Sequence, residues 1–204
     1  TRENNRIVNV DVIHSVGGHI AEELRKYRGI LTIHDLQHVH FSENFEESEL
    51  EARKENYQSS IAAALAVICV SESVRKDVLA NFNVSADSVV ALWNILSGAS
   101  LRRLPNNFVK SMLNGLGLES GYLFFPSHGW PHKNHEKLIL AFARVKESIP
   151  NLTLVLTGGE LGADHPASRR IRELGMEQSV KHLGFRTPLE IRCLFQGAAA
   201  LVYP

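Results

Sequence analysis

This chain of 204 residues has few cysteines, no net charge and no long hydrophobic run. The only two cysteines, Cys69 and Cys193, lie within apolar runs, which is typical of buried thiols in a reducing compartment rather than of a disulfide scaffold. The 22 basic and 22 acidic side chains cancel, so the chain lacks the basic footprint that general nucleic-acid binding needs. No apolar run approaches the roughly 20 residues of a membrane-spanning helix. We therefore expect a cytoplasmic protein that does not bind nucleic acid.

Common phosphate and metal motifs are also absent. No Gly-x-Gly-x-x-Gly follows an apolar run, and Gly158-Gly159 is not followed by the Gly-Lys-Ser/Thr of a P-loop. No Asp-x-Asp pair is present to hold a divalent metal ion. The two commonest nucleotide-binding loops are thereby excluded.

What the sequence does contain is a regular alternation of short apolar runs with amphipathic stretches. At this spacing, the alternation predicts an α/β fold with parallel sheets built from right-handed crossovers. The predicted strands cover 10–13, 30–34, 66–70, 89–92, 121–125, 152–156, 179–183 and 199–203. Helices are predicted at 19–27, 48–64, 72–81, 107–113, 133–149, 167–174 and 187–196, with capping boxes at Ser48/Glu51 and Thr187/Glu190. Weak periodicity at 101–120 predicts a linker between domains at 1–100 and 121–204.

Ligands of parallel sheets bind beyond the carboxyl ends of the strands, so the residues at those positions are the candidates for function. The loop 126–135 carries the strongest signal, because it joins a strand to a helix and places Lys133 at the predicted helix start. Helix N-termini bind phosphate well, and a lysine held there against the helix dipole favours a phosphate site over a merely solvated side chain.

Further residues follow the other strands. Thr157-Gly158-Gly159 would let a ligand approach the backbone, although an ordinary turn explains it equally well. The remaining strand ends carry His34, Asp35, Ser71, Gly184 and Phe185.

Three histidines of the 126–135 loop, His128, His132 and His135, have a spacing that could ligate a metal ion. They lack a matched set of carboxylates or cysteines, and neutral hydrogen bonding beside a phosphate fits them as well. We therefore expect no metal site.

Several of these segments, in their order and spacing, resemble the group 1 glycosyltransferases, which are glycosyltransferase family 4 with the GT-B fold. In the second half the similar segments are Pro126-Ser-His-Gly-Trp-Pro-His-Lys-Asn-His135, Leu154-Val-Leu-Thr-Gly-Gly159, His182-Leu-Gly-Phe185 and Ala199-Ala-Ala-Leu-Val-Tyr-Pro204. In the first half they are Thr32-Ile-His-Asp-Leu-Gln-His-Val-His-Phe41 and Val67-Ile-Cys-Val-Ser-Glu-Ser73. The resemblance implies two Rossmann-like domains, the first on the acceptor side and the second binding a nucleotide-sugar.

The resemblance also implies roles for individual residues. Lys133 would bind the donor diphosphate as a catalytic residue. His128 occupies the position at which the family usually has an arginine. Thr157, Gly158 and Gly159 would line the nucleotide pocket. The nucleotide base would contact the backbone of Gly184 and Phe185. His34 would lie in the cleft near the transferred sugar as a second catalytic residue, with Asp35 and Ser71 at the same acceptor-side edge.

The implied activity is transfer of a sugar, with retention at the anomeric carbon, from a nucleotide-sugar to a hydroxyl of a saccharide or glycolipid. Polysaccharide biosynthesis, peripheral contact with the inner face of the membrane and independence from metals and cofactors are the matching expectations. The family's Glu-x₇-Glu segment should follow the last strand, so we expect 1–204 to be an inactive internal piece with both domains truncated. The alternatives are a sugar-nucleotide epimerase of the same fold and a non-catalytic nucleotide-binding fragment.

Overall fold

The computed structural model describes residues 10–95, 98, 102–159 and 161–204. The chain divides into two compact units, a first unit up to Ile95 and a second unit after it. Parts of the predicted first domain and linker, namely 1–9, 96–97 and 99–101, lie outside the described residues.

The first unit holds a parallel sheet with the strands in the order β1-β2-β3-β4. The strands are β1 (Ile13–Ser15), β2 (Gly29–Ile33), β3 (Ala64–Cys69) and β4 (Val89–Ala91). The helices are α1 (Gln37–His40), α2 (Glu47–Ala63) and α3 (Glu72–Asn81). β2 and β3 provide the centre of the core, because alternate side chains such as Leu31, Ile33, Val67 and Cys69 are fully buried.

The second unit holds another parallel sheet, in the order β7-β6-β5-β8. Its strands are β5 (Leu123–Pro126), β6 (Leu154–Thr157), β7 (Val180–His182) and β8 (Ala200–Leu201). Its helices are α4 (Asn106–Gly115), α5 (His135–Ser148), α6 (Pro166–Glu173) and α7 (Pro188–Gly197). The strand order reverses between β5 and β8, and a crevice for ligands opens at the carboxyl ends of such a strand pair.

The predicted α/β class with two parallel sheets is confirmed. Helix α7 begins with the predicted capping box, in which the Thr187 and Glu190 side chains each bind the other residue's backbone N–H. Among the described helices, none is both long enough and apolar enough to cross a bilayer.

Two local predictions in the first unit are wrong. Only the 3₁₀ turn Glu22–Leu24 forms where a helix is predicted at 19–27. The backbone of Ile20 is bound instead by side chains, since its N–H donates to Ser60 at 2.9 Å and its carbonyl accepts from Arg25 at 3.0 Å. The capping box at Ser48 does not form either, because α2 already begins at Glu47 and its N-cap is Glu46.

Residues 102–120, where the sequence predicts a linker, pack within the second unit. Helix α4 buries Val109 and Leu113 in the same cluster as Leu194 of α7. The Gln196 side chain binds both the N–H and the carbonyl of Leu104 at 2.9 Å. This segment therefore contributes to a hydrophobic core rather than only joining two domains.

Candidate functional site

Backbone hydrogen bonds join three loops at the carboxyl edge of the second sheet. The Ser127 N–H donates to the Thr157 carbonyl at 2.9 Å, and the Gly158 N–H donates to the Gly184 carbonyl at 3.0 Å. The loop after β5 is thereby held beside the turn after β6, and that turn beside the one after β7. We call these three segments the edge loops: 127–134, 157–159 and 184–185.

Gly158 is needed for this packing. Its φ is +128°, and a Cβ atom there would lie 2.7 Å from the carbonyl carbon of Ser127 and closer still to its oxygen. A side chain at this position would push the edge loops apart. Gly159 has a different environment, because a Cβ there would lie 3.4 Å from the His128 ring.

Lys133 lies near the carboxyl ends of β5 and β8, the strands between which the strand order reverses. Its ammonium group donates to the Tyr203 hydroxyl at 2.9 Å, and the Tyr203 ring packs edge-on against Phe125 of β5 at 5.4 Å. Lys133 belongs to the 3₁₀ turn Pro131–Lys133, and Asn134, with φ of +54°, separates that turn from α5. The prediction that Lys133 starts the helix is therefore wrong by two residues, because the left-handed Asn134 turns the chain first.

Aromatic rings surround His128 within the edge loops. The His128 ring stacks on Trp130 at 5.0 Å with an interplanar angle of 15°, and meets Phe185 edge-on at 5.4 Å. Trp130 and Phe185 are both exposed. This group, which we call the aromatic cluster, presents flat apolar surface next to Gly159.

His135, the first residue of α5, is buried and packs against Phe125 at 4.8 Å. Its Nδ1 finds no hydrogen-bond partner. The pKa of His135 is lowered to about 4, chiefly by burial and to a lesser extent by the nearby His165, against an opposing contribution from the Ser127 backbone. His135 is therefore neutral at pH 7.

Among the described residues, the three loop histidines do not converge as a set of ligands. His135 is buried in the core, whereas His128 belongs to the aromatic cluster. Within 10–95, 102–159 and 161–204, no three His, Cys, Asp or Glu side chains converge as metal ligands would.

His165 is a functional candidate that the sequence did not indicate. Its Nδ1 accepts the Ala167 N–H at 3.1 Å and so caps α6, while its Nε2 lies 2.7 Å from the Gly129 carbonyl in the edge loops. The available signal was Pro166, which marks a helix start and makes the preceding residue an N-cap.

The candidates in the first unit also lie at strand ends. The exposed His34 follows β2, and its Nε2–H donates to the Val16 carbonyl at 2.8 Å. Asp35 accepts the Gln37 N–H at 3.3 Å. Ser71 caps α3 by accepting the Val74 N–H at 3.2 Å, and its neighbour Val70 donates to the carbonyl of Ile33 at the end of β2. His34 and Ser71 thus follow adjacent strands.

The second unit matches a known family. The family model for glycosyl transferases of group 1 matches residues 114–204, which contain the edge loops and Lys133. Residues 114–204 belong to the group 1 glycosyl transferases. The resemblance predicted from the sequence is confirmed.

The relatives of this group 1 domain extend the likeness over most of the chain. A D-inositol 3-phosphate glycosyltransferase from Corynebacterium aurimucosum is 25% identical over 97% of the chain and 50% of its own length. O-antigen chain mannosyltransferase B of Escherichia coli is 22% identical over 88% of the chain and 48% of its own length. The chain therefore spans about half the length of the curated relatives it matches.

A solved structure shares the fold. Anabaena Alr3699/HepE in complex with UDP and glucose has a TM-score of 0.72 at 21% identity, over 95% of this chain and 52% of that one. The two sheets of parallel strands, each taken by itself, match those of GT-B glycosyltransferases.

The group 1 domain brings the predicted donor-side residues together at one sheet edge. All seven of these residues lie in the edge loops: His128, Lys133, Thr157, Gly158, Gly159, Gly184 and Phe185. His34, Asp35 and Ser71 belong to the first unit.

Ser71 offers a test of how much of its role is structural. Ser71→Ala should destabilise the protein by about 1 kcal/mol, because α3 loses its capping hydroxyl. Urea denaturation measures this loss, and Ser71→Asp should restore stability because aspartate is also a good N-cap. Equal stability of the alanine variant and wild type would contradict the capping role.

Proposed function

We propose that the protein is a retaining glycosyltransferase that moves a sugar from a nucleotide-sugar donor to a hydroxyl of a saccharide or glycolipid acceptor. The observation that carries this proposal is the position of Lys133 in a group 1 domain, at the point of the sheet where the strand order reverses. Because β5 and β8 have connections leading in opposite directions, the space above them is open to a ligand.

Stabilisation of the leaving group is the chemistry that these residues would supply. Sugar transfer releases a nucleoside diphosphate, and negative charge grows on the bridging oxygen as the glycosidic bond breaks. The Lys133 ammonium is a full positive charge that can bind that oxygen or its neighbours. The first N–H groups of α5 have no partners within the helix and add a partial positive charge. Fixed charges aimed at a developing oxyanion stabilise the transition state.

The relatives support the donor class. The Anabaena protein binds UDP and glucose in its structure, and the two curated relatives are named for transfer to an inositol phosphate and for transfer of mannose. UDP-glucose and GDP-mannose are therefore the first donors to test. The aromatic cluster and Gly184 would contact the base, and Thr157 and Gly159 the ribose and phosphate. In the first unit, we assign His34, Asp35 and Ser71 to the acceptor side.

The diphosphate charge is met by Lys133 and helix N–H groups, so we propose that no metal ion or cofactor takes part. The purified full-length protein should bind UDP or GDP in a calorimetric titration, with a Kd that changes by less than about threefold in excess EDTA. The matched measurement adds Mg²⁺ or Mn²⁺ in place of the chelator. Binding that needs an added metal ion would contradict this part of the proposal.

Transfer itself is tested on the full-length protein with radiolabelled UDP-glucose and GDP-mannose and a panel of monosaccharide and inositol phosphate acceptors. The expected result is labelled product together with released nucleoside diphosphate, and an α-linked product by NMR from these α-configured donors. Interconversion of the donor sugar without release of nucleoside diphosphate would indicate an epimerase. Binding of UDP or GDP without either reaction would indicate a non-catalytic binding protein.

A further inference from the structure

We propose that His165 is a positioning residue for the donor diphosphate, because it holds the loop carrying His128 and Lys133 in its binding conformation. This inference rests on the proposed function, since it concerns the same edge loops. His165 lies in a different segment of the chain from that loop, and its side chain is partly buried.

His165 uses its two ring nitrogens in opposite senses. Nδ1 accepts the Ala167 N–H, so it carries no proton, and Nε2 must then carry the proton that it donates to the Gly129 carbonyl. The imidazole is thus neutral and has a single tautomer. One ring thereby links the first turn of α6 to the middle of the loop between β5 and Lys133.

The surroundings of His165 favour the same arrangement. The buried His135 ring lies edge-on to His165 at 5.9 Å, and its lowered pKa keeps it uncharged at pH 7. The Arg170 side chain binds Glu136 in the first turn of α5 at 2.6 Å. Helix α6 is therefore attached to both sides of Lys133, through Gly129 before it and through Glu136 after it.

The loop around Gly129 is closely packed, so loss of the bond from His165 should change its conformation. A Cβ on Gly129 would lie 2.6 Å from Leu161 and 3.3 Å from the His165 ring, so the backbone passes close to both side chains. His128 and Trp130 flank Gly129 and stack on each other. Release of the Gly129 carbonyl should therefore loosen the aromatic cluster and the turn that begins at Pro131.

Two conservative variants separate the two bonds. His165→Asn keeps an acceptor close to the ring Nδ1, and asparagine is a good N-cap, but no atom reaches Gly129. His165→Gln carries an amide N–H close to the ring Nε2 and can still donate to Gly129. We expect His165→Asn to weaken UDP or GDP binding about tenfold by calorimetry, and His165→Gln by less than about threefold.

A stability control and a second measurement complete the test. Val109→Ala removes buried methyl groups from the core beneath α4 and destabilises the same unit without touching the edge loops. Hydrogen exchange should be faster at 128–130 in His165→Asn than in wild type, His165→Gln or Val109→Ala. That pattern, with the selective loss of affinity, would support the proposal.

The opposite results are equally clear. The proposal is overturned if His165→Asn exchanges and binds like wild type, or if affinity follows the melting temperature across all three variants. If the wild-type protein binds neither UDP nor GDP, the proposed function fails, while the exchange pattern at 128–130 still decides whether His165 positions the loop.

Discussion

Replacing Lys133 by alanine in the full-length protein should lower the turnover of sugar transfer on the order of 10²–10³-fold. The physical reason is that the leaving diphosphate loses a full positive charge at the moment when its own negative charge increases. Substrate binding should weaken less than turnover, because the ground-state diphosphate is already charged and has other donors nearby. Turnover and KM for the nucleotide-sugar, measured separately, give this comparison.

The structure explains why the loss should be large but incomplete. The Lys133 ammonium is held by the Tyr203 hydroxyl at 2.9 Å and lies 5.6 Å from the centre of the Tyr203 ring. It is thus held near the carboxyl ends of β5 and β8 by a residue that follows β8. The N–H groups at the start of α5 remain in the alanine variant, so part of the stabilisation should survive.

Matched variants separate charge from shape. Lys133→Arg keeps the charge and should retain more activity than Lys133→Ala. Lys137→Ala removes an exposed lysine from the first turn of α5 and should leave turnover unchanged. Turnover of Lys133→Ala within about threefold of wild type would contradict the assigned role, as would an equal loss in Lys137→Ala.

The sequence predicted the elements well because their signals are local. The buried strands around Leu31, Val67 and Phe125 are short apolar runs, and such runs alternating with amphipathic helices predict a parallel sheet directly. The Thr187 capping box is contained in four consecutive residues, so the sequence predicts it equally directly. Lys133 and the glycine turns could be placed at one sheet edge for the same reason.

Two of the features that the sequence missed depend on partners that are distant in sequence, and a third depends on a local backbone conformation. The backbone of Ile20 is bound by Ser60, a contact 40 residues away that replaces the predicted helix. The bond from His165 to Gly129 joins residues 36 positions apart, and no pattern in the sequence predicts it. The left-handed Asn134 moves the start of α5 past Lys133, although asparagine is one of the few residues that tolerate this conformation.

Gly158 has a role that the local sequence indicates in part and that the structure completes. The sequence identified the turn after β6 as a place where glycine lets another group approach closely. The structure shows that the group nearest to this glycine is the Ser127 carbonyl of the neighbouring edge loop. Its position thus controls how the β5 and β6 loops fit together, in addition to any contact with a nucleotide.

Gly158→Ala should therefore destabilise the protein by about 3 kcal/mol or more, with a fall in melting temperature of about 10 °C. A methyl group would overlap backbone atoms of Ser127, which cannot rotate away as a flexible side chain would, and φ of +128° is itself strained for alanine. Gly184→Ala isolates the strain, since its φ is +69° but nothing lies within 4 Å of the added Cβ. Gly159→Ala adds a methyl group one residue further on, without positive φ and with its nearest contact at 3.4 Å. Thermal unfolding of the three variants should rank Gly158→Ala lowest and Gly159→Ala nearest to wild type. Equal melting temperatures for Gly158→Ala and Gly184→Ala would show that backbone strain alone, and not the contact with Ser127, makes glycine necessary at this turn.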